Sequence, residues 1–165
     1  MKKVPLLLIL ILLSGCLSYS SPTATLPPLE IRTVSGDQLP DNFPSYPTVD
    51  LTQSLQLQDI DALIISKEML YLAKENTGLR QQLQDIAWQT VLLIYGASTQ
   101  DVRQILQLGS PTVKPTTTEY VLVAVRATKT QILGGGVLIP KERKSPLDVA
   151  AAIEDYVRSV QENVK

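Results

Sequence analysis

Apolar residues fall into three regimes along this chain. Residues 6–13 are unbroken leucine and isoleucine, residues 17–47 are polar and proline-rich, and from about residue 48 apolar positions recur at regular spacings. In the third regime Val49, Leu51, Leu55 and Leu57 share one parity, with Asp50, Thr52, Ser54 and Gln56 on the other. This predicts a half-buried strand, with a helix as its competitor. Ala62 to Ile65 is a short apolar run that reads as a buried strand. Ser66 then caps a helix from Lys67 to about Asn76, with Met69, Leu72 and Ala73 inward and Gly78 as its breaker. Leu79, Leu83 and Ile86 keep helical spacing in a second, short helix. Thr90 to Tyr95 is a strand closed by Gly96. Ser98 opens a helix with Asp101 at capping-box distance, burying Val102, Ile105 and Leu106.

Gly109, Pro111 and Pro115 mark a loop. Tyr120 to Val125 and Ile132 to Ile139 read as two strands, the second interrupted by Gly134, Gly135 and Gly136. The final helix has the strongest signals. Ser145 is its N-cap, Pro146 takes the first helical position and Asp148 lies in the first turn. Val149, Ile153, Tyr156, Val160 and Val164 follow one face. Strands and helices therefore mix in an α/β or α+β fold. One mixed sheet of about four or five strands is covered by helices and followed by a C-terminal amphipathic helix. The two adjacent strands before that helix imply an antiparallel pair.

Six of the eleven prolines lie between residues 17 and 47, interleaved with Ser and Thr. Such a segment buries too little apolar surface to offset its ordering entropy. The expected organisation is thus a leader over residues 1–15, a tether over 16–47 and a single globular domain over 48–165. A tether of that length reaches roughly 30 Å. Leu29 to Val34 alternates enough to pair as a short edge strand.

The first regime carries the chain's address. Lys2 and Lys3 precede the apolar run Leu6–Leu13, which is too short for the ~20 residues of a membrane span and suits a secretory signal peptide. The run ends Leu13-Ser14-Gly15-Cys16, which resembles the lipobox of bacterial lipoproteins. The resemblance implies that Cys16 is lipidated and becomes the first residue of the mature chain. It would be held in the membrane by acyl chains, palmitate among them. Each buried CH₂ contributes about 0.8 kcal/mol, so two or three chains anchor where one alone binds marginally. Leu17, in place of a retention aspartate, would favour the periplasmic face of the outer membrane in a host with two membranes. In a host with one, the outer face of the plasma membrane is expected.

Composition excludes more chemistry than it supplies. Histidine is absent and Cys16 is the only cysteine. A Ser-His-Asp triad, a Cys-His pair and the usual zinc sites therefore have no residues to build them, and no cofactor or metal is expected. Without Lys2 and Lys3, 13 of the 15 basic residues remain against 16 acidic ones. This mildly acidic balance argues against nucleic acid as a partner. Asp59 and Asp61 are a close carboxylate pair, and Ser66-Lys67 a formal Ser-Lys pair, but a solvated pair and a helix cap explain them more simply. Gly134–Gly136 lacks the surroundings of a phosphate-binding loop; it reads as a turn or bulge, or as a bare strand edge open to a partner. Lys141, Arg143 and Lys144 form a small basic cluster that reads as a solvated loop, or as a contact for lipid headgroups or a partner. The expectation is a non-catalytic envelope lipoprotein, an accessory or assembly factor acting through protein contacts. The alternative is a peptide- or small-ligand-binding lipoprotein using the Gly-rich edge.

Overall fold

The computed structural model describes residues 27–41, 43–52, 57–108, 122–127, 132–137 and 145–164, with residues 132–137 described through their backbone. Six strands form one sheet: β1 (Ile31–Val34), β2 (Thr48–Val49), β3 (Ala62–Ser66), β4 (Val91–Tyr95), β5 (Leu122–Ala127) and β6 (Ile132–Val137). Their spatial order is β2-β1-β3-β4-β5-β6. The first four are mutually parallel, and β5 and β6 add two antiparallel pairings. The mixed sheet with packed helices matches the expected fold class.

β3 and β4 are unbroken apolar runs because both of their faces are covered, as is usual for parallel strands. Leu63, Ile65, Leu92, Ile94, Val123 and Val125 point to one face, under α1 (Lys67–Glu75), α2 (Thr77–Gln89) and α3 (Thr99–Leu106). Ala62, Ile64, Val91, Leu93, Leu122 and Ala124 point to the other, under α4 (Pro146–Val164). The domain is a three-layer sandwich with a core on each side of the sheet.

Helix ends follow their caps. The Ser66 hydroxyl accepts the Met69 N–H at 3.1 Å and opens α1. Asn76 serves two helices: its N–H closes α1 on the Leu72 carbonyl, and its side chain accepts the Leu79 N–H at 3.0 Å to open α2. Gly78 therefore lies inside α2 instead of ending α1. Ser98 and Asp101 form the reciprocal capping box expected for α3. Ser145 caps α4 through the Asp148 N–H at 3.2 Å.

Several expectations need correction. Residues 29–47 are not tether. β1 lies inside the sheet between β2 and β3, and Leu29, Leu39, Phe43 and Tyr46 pack against the α4-side core. The prolines of this segment supply acceptors where they cannot donate: the Pro47 carbonyl takes the Thr33 N–H at 3.0 Å. The strand expected over residues 49–57 shrinks to β2, a turn at Leu51-Thr52 and a 3-10 turn at Leu57–Asp59. Leu51 and Leu57 are still buried, so the alternation marked core positions without a ladder. In α1 Leu70 takes the inward place expected of Leu72, which is 61% exposed. In α4 Val157 joins Val149, Ile153 and Val160 in the core, with Tyr156 at its margin. The loop at Gly109, Pro111 and Pro115, the positions Leu55, Tyr120 and Ile139, and the leader lie outside the described residues.

Candidate functional site

Open α/β sheets bind ligands at the carboxyl ends of parallel strands, where chain connections diverge. Here that place is between β1, whose chain returns to β2, and β3, whose chain crosses to β4. Asp37 follows β1 and Ser66 ends β3, and the two close the gap. The Ser66 N–H donates to Asp37 Oδ2 at 2.6 Å, and the Ser66 hydroxyl donates to Asp37 Oδ1. Ser66 is 0% exposed. A nucleophile must reach its substrate, and this hydroxyl is both sealed and committed. The Lys67 ammonium lies over the Tyr71 ring, 5.3 Å from its centroid, so the Ser-Lys pair is not assembled.

Beside it, the Tyr71 hydroxyl donates to Asp101 Oδ1 at 3.0 Å. Partial burial pushes the Asp101 carboxyl up, but the hydroxyl and N–H of Ser98, the Tyr71 hydroxyl and the Lys67 charge together hold it below the ordinary carboxylate value. This network ties the start of α3 to α1. It reads as a cap, not a reaction centre.

At the amino ends of the strands Asp61 is a staple. Its Oδ2 accepts the Glu30 N–H at 2.8 Å and its Oδ1 accepts Gln161 Nε2 at 2.8 Å, joining the entry to β1, the start of β3 and the end of α4. Asp59 is exposed and does not meet it. Next to Asp61 is a cleft of about 230 Å³ lined by Gln58, Asp61, Gln89, Thr90, Arg126 and Gln161. Arg126 Nη1 is buried without a hydrogen-bond partner among the described residues, and burial lowers the pKa of its guanidinium. A second hollow, about 470 Å³, lies at the other end of β1 between Val34, Leu51, Met69 and Leu79.

No family model matches this chain, and no curated protein or solved structure is significantly similar to it. Its chemistry is read from its own residues. Among those described, no cluster of three or more His, Cys, Asp or Glu side chains could hold a metal ion. No described helix is long and apolar enough to cross a membrane.

Gly134, Gly135 and Gly136 form no turn. They run in the regular ladder of β6, opposite Val125, Ala124 and Val123, and β6 ends the sheet among the described residues. Cys16 and the basic cluster Lys141, Arg143 and Lys144 lie outside the described residues. Sequence reasoning missed Asp37, Tyr71, Gln161 and Arg126. Only Arg126 left a signal: it shares the parity of Leu122 and Ala124 in a strand that is otherwise apolar, where a charge is out of place.

Proposed function

We propose that this chain is a bacterial envelope lipoprotein, anchored through Cys16, whose α/β domain is a non-catalytic accessory or assembly factor working through protein contacts. The anchor reading is supported by the Leu13-Ser14-Gly15-Cys16 segment behind a short apolar run. The observation that carries the non-catalytic part is the commitment of Ser66, Asp37 and Asp61 to hydrogen bonds that build the fold. The membrane in question is the outer one, on its periplasmic side, in a host that has two. The partner is a protein and not a nucleic acid, in keeping with the acidic balance of the mature chain.

Two measurements test this. Growth with labelled palmitate should label the native protein and not Cys16→Ser; label retained by the variant overturns the anchor. Crosslinking in intact membranes should return one defined complex, and recovery of monomer alone overturns the contact role.

A second reading, peptide capture on the sheet edge, is favoured by the position of β6. Successive residues of an edge strand alternate between ladder and outward N–H groups. Of Gly134→Pro and Gly135→Pro, one therefore breaks the pairing with β5 and the other only blocks strand addition. If the folded variant of the two keeps the crosslinked complex, edge capture is excluded.

A further inference from the structure

The chain enters the domain at the end of the sheet that carries the Arg126 cleft. The Pro27 carbonyl accepts Arg158 Nη2 at 2.8 Å on α4, and Leu29 and Glu30 then lead into β1 beside Asp61. Gln161 of that cleft lies one helical turn beyond Arg158. From Cys16 to Pro27 is about eleven residues, a length that spans at most ~40 Å. A domain tied so closely turns its amino-end face to the membrane, because the tether is too short to wrap around the body.

That face has features suited to a bilayer surface. Trp88, the single tryptophan of the chain, is 46% exposed at the end of α2 beside the Gln89 rim of the cleft. Amphipathic indoles settle at headgroup level. Arg126 lines the cleft, and its Nη1 is buried without a hydrogen-bond partner among the described residues. A desolvated, unpaired N–H of a cation is costly, and an oxyanion offsets that cost. Gln58 and Gln89 add side-chain amides that hold no hydrogen bond among the described residues. Gln161 and Thr90 are already used, donating to Asp61 and to the Ile60 carbonyl at 2.7 Å. The Asp61 carboxylate in the lining sets the charge of the guest. Next to it a dianion is repelled about twice as strongly as a singly charged phosphodiester, so the latter suits the cleft better.

We infer that the Arg126 cleft takes the phosphodiester of a membrane lipid headgroup, docking the domain on the bilayer to which Cys16 tethers it. The inference rests on the lipid-anchor reading for its geometry. Its test does not depend on that anchor.

The experiment uses the mature chain from residue 16 with Cys16→Ser, which carries no acyl group. It is titrated with phosphatidylglycerol vesicles and with vesicles of an uncharged, phosphate-free galactolipid, following Trp88 emission. The mature chain is net acidic, which disfavours attraction to anionic vesicles by net charge, and the titration is repeated in a Lys141→Ala/Arg143→Ala/Lys144→Ala background to remove the basic cluster. The expected result is a blue shift with phosphatidylglycerol and none with galactolipid, with the affinity falling about tenfold in Arg126→Met. Gln58→Ala/Gln89→Ala, confined to exposed rim residues, should weaken binding severalfold and serves if Arg126→Met does not fold. Equal response to both lipids, or full binding by the variants, overturns the inference. So does a thermal shift with inorganic phosphate that Arg126→Met abolishes while vesicles are ignored, since the cleft then serves a free oxyanion. Failure of palmitate labelling at Cys16 with vesicle binding intact removes the anchor and leaves the cleft.

Discussion

Ser66 shows how much one side chain can organise. Its hydroxyl caps α1 and donates to Asp37, and its N–H donates to the same carboxylate, so one residue joins β1, β3 and α1. Loss of a cap costs ~1 kcal/mol and loss of a hydrogen bond to a charged group about 1.5–3 kcal/mol. Ser66→Ala should therefore destabilise the domain by about 2.5–4 kcal/mol in urea unfolding, and a change below ~0.5 kcal/mol would show that these bonds are not made in solution. Tyr46 is the opposite case. Its hydroxyl is buried without a partner among the described residues, and burial, with Glu154 nearby, pushes its pKa up to about 12. The folded state thus keeps a proton that the unfolded chain gives up above pH 10. Stability from this group is full below pH 10 and falls as pH rises towards 12. Tyr46→Phe should match or slightly exceed the native stability at pH 7 and lose less of it between pH 10 and 12, measured by urea midpoints across that range. Tyr156, raised by burial as well, remains in the variant and keeps part of the alkaline loss.

At the scale of elements, α4 is the lid of a core that begins with the first described residues. Ile153 is 0% exposed and packs in one cluster with Ile31, Leu29, Leu39 and Phe43. Ile153→Ala should cost about 2–5 kcal/mol, and hydrogen exchange should show β1 amides losing protection together with those of α4. Undisturbed β1 protection would mean that the two do not share a core. The capped helices were legible because a cap and its periodic face are local: Ser66, Ser98 and Ser145 each stand beside the residues they organise. The sheet's first strand was half legible: the alternation of Leu29 to Val34 marked a strand, but at an edge, whereas β1 lies inside the sheet. What makes its apolar positions core is distant in sequence: α4, more than a hundred residues away, covers Ile31, and the helices of the other face cover Val34. The same distance hid the candidate site. Asp37 and Ser66 are 29 positions apart, and Asp61 and Gln161 are 100 apart. Nothing local in either partner announces the other.

For the whole molecule, the domain begins near Leu29 and not at residue 48. Removing residues 1–26 should leave the melting temperature of the domain unchanged. Removing residues 1–47 takes out β1 and β2, uncovers the flank of β3 and strips Leu39, Phe43 and Tyr46 from the α4 side. That shorter chain should show no cooperative thermal transition by circular dichroism, and a cooperative one would restore the longer tether. The stretch left between Cys16 and the fold is about eleven residues, so a lipid anchor at Cys16, as proposed, would hold the domain within ~40 Å of the membrane.

The placement of β1 also decides how the molecule answers a mechanical pull. A load applied through the N-terminal segment arrives at Pro27 and passes straight into β1, a strand bonded to parallel neighbours on both sides. Force along the strand meets both rows of hydrogen bonds sideways, so they resist in shear and must give way together. An edge strand tugged across its length would unzip bond by bond. On the proposed lipid anchor, a membrane that flows, bends or drags on its cargo would pull on the part of this sheet best arranged to hold.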